Sequence, residues 1–298
     1  MFEQYSTGVR GIILAGGNGS RLWPITSSIS KQLLPIHNKP LIYYPLGTLM
    51  LAGIREFLII TTPRDQDSFK LLLGTGEDLG IQINYSTQAK PDGLAQAFII
   101  GEDFIKDEKV ALILGDNIFH GTGLGHQLQT LTNVQGAHIF GYKVNDPRSY
   151  GVVEIDNSGR VLSLEEKPPF PKSNIAIPGL YFYDSTVIEI ASRIKPSPRG
   201  ELEITAVNQI YLELGQLKVA SLERGTMWLD TGTFESLYAA TSYVKVVEER
   251  QGNMISCLEE IAWRNGWISE TKLECLTKNM VTNEYSTYLT QLLKAHGN

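Results

Sequence analysis

Ten residues near the start, Leu14-Ala-Gly-Gly-Asn-Gly-Ser-Arg-Leu-Trp23, have the types and spacing to hold a polyphosphate. They follow a short apolar run, Gly11-Ile-Ile-Leu14, that reads as a buried parallel strand. Gly16, Gly17 and Gly19 let the chain turn sharply and bring bare N–H groups close to a ligand. Ser20 adds a hydroxyl, and Arg21 a fixed cation with forked donors suited to phosphate. Two better-known phosphate loops are excluded by spelling. A P-loop needs Gly-Lys before Ser or Thr, and the chain has no Gly-Lys pair. The dinucleotide fingerprint needs a third glycine where Leu22 stands, with Pro24 soon after.

Asp116, in Leu114-Gly-Asp-Asn-Ile118, directly follows another solid apolar run. A carboxylate there sits at the ligand edge of a sheet. It reads either as half of a turn-forming Asp-Asn pair or as a Mg²⁺ ligand, since magnesium takes one or two carboxylates plus substrate phosphates. Asp230, in Met227-Trp-Leu-Asp-Thr-Gly232, reads by itself as an N-cap for a helix beginning near Thr233.

These residues need a scaffold, and the pattern supplies one. Apolar strand-length runs at 55–62, 81–86, 110–114 and 137–144 alternate with helical stretches, Pro40 to Ala52 and Asp92 to Phe104. Such alternation predicts an α/β fold, a mostly parallel sheet with helices on both faces and ligands at the carboxyl ends of its strands. The middle changes character. Runs at 151–156 and 161–166 flank Asn157-Ser-Gly159, a hairpin signature, and strands follow at 175–183 and 217–222. From about Gln251 the pattern is helical, with Ser256-x-x-Glu259 as a capping box. The boundary near Glu248 to Asn253 is short and polar, so the tail is expected to pack on the core.

Composition narrows the function classes. A net charge of -6 argues against a broad nucleic-acid or anionic-membrane surface, so Arg and Lys near phosphates must be placed locally. Cys257 and Cys275 lack zinc or redox spacing and suggest a reducing, cytoplasmic setting. No apolar run could span a bilayer, and Met1 to Gly8 reads as a disordered leader without signal-peptide character.

The pattern Gly-Gly-x-Gly-Ser-Arg-Leu, with Lys31-Gln-Leu-Leu-Pro35 ten residues on, resembles the sugar-phosphate nucleotidylyltransferases. Further motifs follow in the family's order over nearly the whole chain. The resemblance implies a Rossmann-like core over residues 1–250, with a nucleotide half at about 9–145 and a sugar-phosphate half at about 146–250. It makes the antiparallel middle a sugar-binding insert and 251–298 an assembly and regulatory tail. It implies Mg²⁺-dependent transfer from dTTP to glucose 1-phosphate, feeding deoxysugar synthesis for bacterial surface polysaccharides, by a homotetramer with a second, inhibitory nucleotide-sugar site. Arg21, Lys167 and Asp116 would be catalytic, with Asp230 joining Asp116 on the metal. Lys31 would be a second phosphate cation and Gln32 a second amide. Gln88 would read the pyrimidine imide edge while Gly93 lets the base lie flat. Glu166 would accept from sugar hydroxyls and Lys167 would pair with the sugar phosphate, with Asn117, Gly151, Ile177 and Arg199 around them.

Three stretches depart from the family pattern: Ser20 for Thr, Ile177-Pro178 for Val-Thr, and Ala206 for Asp. The last two touch sugar-pocket detail. Rival readings are a uridylyltransferase on the same sugar phosphate, a metal-dependent glycosyltransferase of similar sheet architecture, and a nucleotide-sugar sensor with a decayed site.

Overall fold

The computed structural model describes residues 8–296. The expected leader, Met1 to Gly8, lies outside them apart from Gly8. The strands in chain order are β1 (Val9–Ala15), β2 (Pro35–Ile36), β3 (Lys39–Pro40), β4 (Glu56–Thr61), β5 (Gln82–Thr87), β6 (Lys109–Leu114) and β7 (Asn117–His120). Then come β8 (Ala137–Lys143), β9 (Gly151–Ile155), β10 (Val161–Glu166), β11 (Ile175–Ile177), β12 (Leu180–Tyr183), β13 (Leu217–Ser221) and β14 (Met227–Asp230).

Ten of these strands form one mixed sheet. Its half β5-β4-β1-β6 is parallel throughout. β12 runs antiparallel between β6 and β8, and β13 pairs with β8 in parallel. β11, β9 and β10 extend the far end as an antiparallel wing. The parallel strands bury both faces. Within β1, Ile12 and Ile13 are fully buried and belong to two different cores, as alternation along a strand requires. The mostly parallel sheet with an antiparallel insert is therefore as the pattern predicted.

Several local expectations shift. Pro40 belongs to the small β2–β3 hairpin, and the helix is Tyr43–Leu51, with Pro45 in its first turn. The stretch from Asp92 to Phe104 yields two short helices, Gln96–Ile100 and Glu102–Ile105, broken at Gly101. A side chain on Gly101 would strike Ile12 Cδ1 at 2.9 Å, so close packing on the sheet requires glycine there. The strand expected over 175–183 is split at Pro178-Gly179, because proline offers no N–H to a ladder. Leu180 N–H instead donates back to Pro178 O at 2.8 Å, and the chain crosses from the wing to the central sheet.

The capping box at Ser256 does not form. Cys257 is the N-cap of the helix Leu258–Arg264, without a side-chain cap bond. The capping box instead closes on Thr233 and Ser236, at the head of the helix Phe234–Gln251. The tail, as expected, packs on the core. Leu258, Ile261, Ala262, Ile268, Leu273 and Leu289 are buried in the same cluster as Leu46, Leu49 and Phe57. Among the described residues, no helix is long and apolar enough to cross a membrane.

Candidate active site

Register alone gathers the first half of the site. Leu14 pairs with Leu114 across β1 and β6, so Gly16 and Asp116 leave neighbouring strands at the same edge. Gly115 N–H donates to Leu14 O at 2.9 Å and ties the two exits together. Thr87 pairs with Thr61 at the end of β5, which sets Gln88 on that edge too. These are the carboxyl ends of the parallel strands, where open α/β sheets bind ligands.

Within the loop the glycines differ. A Cβ on Gly16 would meet Gln88 Oε1 at 2.5 Å, so the buried Gln88 amide needs glycine opposite it. Gly19 has φ +58°, and a Cβ there would strike Thr26 Cγ2 at 2.8 Å. Thr26 Oγ1 donates to Gly19 O at 2.8 Å and closes the loop. Gly17 is exposed, with nothing within 4 Å of an added Cβ. Ser20 and Arg21 are exposed at the start of the short turn Ser20–Leu22.

The two aspartates come together. Asp230 ends β14 and pairs with Asn117, the first residue of β7, so it lies beside Asp116. Thr231 fastens the contact: its N–H and its hydroxyl donate to Asp116 O at 3.1 and 2.8 Å. Asp230 is not a helix cap, since Thr233 has that role. Burial and then the Asp116 carboxylate push the Asp230 carboxyl above its ordinary range, against Lys31 and Arg21. Burial also acts to raise Asp116, but the Lys31 ammonium, with the Asn117 amide, outweighs it and holds that carboxyl low.

Lys31 is buried, with its Nζ on Asp116 Oδ2. A Cβ on Gly232 would lie 2.6 Å from an Arg21 guanidinium nitrogen and 3.2 Å from Asp230 Oδ1, so Arg21 flanks the pair from the glycine loop. Two hard carboxylates at one strand edge are the donor set that magnesium takes together with phosphates. The residues present fit that ion. Among the described residues, no group of three or more His, Cys, Asp or Glu could hold a metal.

Gln88 and Gly93 are joined: Gln88 Nε2 donates to Gly93 O at 3.2 Å and to Gln96 Oε1 at 2.7 Å. Gly93 has φ +110°, and a Cβ there would fall 2.4 Å from Leu202 backbone atoms. The loop at 92–95 pairs with Leu202 through two backbone bonds, 2.7 and 3.0 Å, so packing also demands this glycine. Gln32 is buried and accepts from Ser30 Oγ at 2.7 Å.

The wing supplies a second cluster. Glu166 of β10 pairs with Gly151 of β9, and Gly151 with Ile177 of β11, so the three stand in one row. A Cβ on Gly151 would lie 3.5–3.6 Å from Ile177 Cδ1, Thr205 Oγ1 and Glu166 Oε2; the bare glycine leaves that space open. Thr205 Oγ1 donates to Glu166 Oε2 at 2.5 Å, and Arg199 donates to Glu166 Oε1 at 3.1 Å. Arg199 is also held by Glu203, at 2.9 Å, and by Glu201, at 3.8 Å.

Lys167 is half exposed, its Nζ 3.7 Å from Glu166 Oε1. Its φ of 44° is left-handed, a costly setting for lysine. Its N–H donates to Tyr150 O at 3.1 Å. Tyr150 joins the halves: its ring meets Trp228 edge-on at 4.9 Å, and its hydroxyl feels Asp230 and Arg21.

Asn117 is committed inward. Its Oδ1 accepts from Trp228 Nε1 at 2.6 Å and Gly179 N–H at 3.1 Å, while its Nδ2 donates to Asp116 Oδ1 at 3.0 Å. It therefore braces Asp116 and the β11–β12 crossing. Thr205, Thr231 and Trp228 are the site residues that sequence reasoning did not place. Thr205 lies 39 positions from Glu166, and no periodicity announces a contact across that distance.

Comparison with known proteins agrees with this geometry. A model of the nucleotidyl transferase family matches residues 10–246. Glucose-1-phosphate thymidylyltransferase of Neisseria meningitidis serogroup A is 56% identical over 96% of this chain and 100% of its own. The Mycobacterium tuberculosis H37Rv enzyme of that name is 57% identical over 96% and 99%. Among solved structures, a candidate glucose-1-phosphate thymidylyltransferase of Bacillus anthracis, in complex with sucrose, gives a TM-score of 0.73. It is 39% identical over 79% of this chain and 94% of that one. A UDP-glucose pyrophosphorylase complexed with UDP-glucose gives 0.70, at 26% identity over 80% and 98%. A glycine loop closed against an amide, a paired-aspartate edge and a Glu-Lys wing, together with these identities over nearly full length, place the chain in the nucleotidyl transferase family, among the glucose-1-phosphate thymidylyltransferases.

Proposed function

We propose that this chain transfers a thymidylyl group from dTTP to glucose 1-phosphate, giving dTDP-glucose and pyrophosphate. The observation that carries the reading is a pair of side-chain clusters linked through Tyr150. The glycine loop with Arg21, Asp116 and Asp230 forms the first cluster, the row of Glu166, Gly151 and Ile177 with Lys167 the second, and Tyr150 stands between them. The first cluster suits a triphosphate and the second a sugar bearing one phosphate.

The nucleophile is a phosphate oxygen, ionised at neutral pH, so no general base is required. The protein has to align the reactants and neutralise charge. Loop N–H groups from Gly17 to Ser20 and the Arg21 guanidinium hold the triphosphate, and Arg21 meets the charge that grows on departing pyrophosphate. Lys167, fixed by its backbone bond to Tyr150, aims the sugar phosphate in line at the α-phosphorus. Glu166, held by Thr205 and Arg199, accepts from sugar hydroxyls beside Gly151 and Ile177. Gln88, with Gly93 alongside, meets the imide edge of the base, and Gln32 supplies a second amide. Asp116, braced by Asn117, and Asp230 would hold Mg²⁺, whose charge screens the repulsion between two anions.

Uracil and thymine share that imide edge and differ by one methyl, worth only about 1–3 kcal/mol of selectivity. UTP is therefore a slower substrate in this reading, and the likeness to a UDP-glucose pyrophosphorylase supports keeping it as the second candidate. The experiment is identification of the sugar nucleotide by mass after incubation with glucose 1-phosphate and dTTP. dTDP-glucose is the expected product; its absence with soluble, folded protein would count against the assignment. The unpaired thiols Cys257 and Cys275 support cytoplasmic residence. A homotetramer gains support from Tyr238 and Val246, exposed on the helix Phe234–Gln251.

A further inference from the structure

Lys31 lies away from where a second phosphate cation is expected. Its ammonium is on Asp116 Oδ2 and its charge also acts on Asp230. With Arg21 beside Asp230, the two carboxylates face two cations, and the protein's own groups neutralise the edge. The Lys31 stem nevertheless starts under the glycine loop. Its Cβ lies 3.5 Å from where a Cβ on Gly19 would stand. A flexible four-carbon stem rooted there can carry the ammonium to the carboxylates or to the loop without moving the backbone.

A divalent ion at Asp116 and Asp230 would meet that ammonium at contact distance. Two like charges cannot share the spot, because their repulsion is strong where water is scarce. We propose that Lys31 is an exchangeable counter-ion: it pairs with Asp116 beside Asp230 in the nucleotide-free protein, yields that place to a divalent ion and then pairs with the triphosphate. This rests on the reading of Asp116 and Asp230 as metal ligands. The exchange keeps the carboxylates paired in both states and avoids the cost of an uncompensated buried charge. It also means that the metal is bound well only when it arrives with nucleotide.

Mn²⁺ is the probe, and its binding to nucleotide-free protein is counted by the EPR signal of the free ion. Wild type should bind it weakly. Lys31→Gln should bind at least about tenfold more tightly, the effect of deleting one like charge at contact distance. Lys31→Arg, which keeps the cation, should stay weak. Lys31→Met is the second variant if the glutamine form does not fold. Equal Mn²⁺ affinity in wild type and in the Gln or Met variant would overturn the exchange and leave the metal site standing. Absence of Mn²⁺ binding in every form, even with dTTP added, would overturn the metal site and the exchange with it.

Discussion

Asp116 and Asp230 sit side by side yet are pushed in opposite directions, one held low by Lys31 and one raised by burial and its neighbour. If both serve a divalent ion, each is needed for charge rather than shape. Asp116→Asn and Asp230→Asn should each keep the fold and lose about 10²–10³ in kcat, the several kcal/mol that a metal's charge supplies. Near wild-type turnover and magnesium dependence in the Asp230 variant would remove that residue from the site. Arg21 and Lys167 should fail differently. Arg21→Ala should lower kcat and kcat/KM together by about 10²–10³, because the charge it meets grows during reaction. Lys167→Ala should raise KM for glucose 1-phosphate about 10- to 100-fold with dTTP affinity little changed. A large loss of dTTP affinity there would mean that Lys167 holds the other phosphate. At this scale much was legible. Gly16, Asp116, Gln88 and Glu166-Lys167 stand at strand ends, where a linear motif and its place in space coincide, and Arg21 follows within the same loop. Thr205 and the inward role of Asn117 were not legible, because each depends on a partner brought close only by the sheet.

At the scale of elements, parallel strands with two buried faces read clearly as apolar runs, and Asn157-Ser-Gly159 turns as its spelling requires, with Gly159 at φ 84°. The misreadings are all at breaks. Gly101, Pro178 and Ser256 sit where tertiary packing or a missing N–H overrides the local pattern. The tail helices are joined by a buried polar knot that periodicity could not show. Tyr285 Oη donates to Glu259, and Cys257 Sγ lies 3.4 Å from Tyr285 Oη. Burial raises the Glu259 carboxyl above its ordinary 4.5, although the Tyr285 bond opposes this. The folded protein therefore keeps a proton that the unfolded chain has released. Stability from this group is full below about 4.5 and is lost as pH rises through the folded value. Glu259→Gln keeps an acceptor for Tyr285 and removes the titration. The wild type should thus lose melting temperature relative to Glu259→Gln as pH is raised from acid to neutral. A difference independent of pH would show that Glu259 ionises normally.

For the whole molecule, the core and the tail share one apolar cluster, and that changes what a truncation can report. Ending the chain after Glu249 removes Leu258, Ile261, Ala262, Leu273 and Leu289 from the shared apolar cluster, so melting temperature should fall sharply before any question of assembly arises. An unchanged melting temperature would make the tail a separate appendage after all. The larger architecture explains how the two clusters come together. The parallel half delivers a glycine loop and Asp116 at strand ends, the antiparallel wing delivers Glu166 and Lys167, and the β7–β14 pair draws Asp230 between them. The central claim is that both substrates react directly between these two clusters. It is tested most directly by pyrophosphate release with each nucleoside triphosphate, with and without glucose 1-phosphate. The account predicts release only when both substrates are present, fastest with dTTP and slower with UTP. Equal release without the sugar phosphate, or none with any triphosphate, would contradict it.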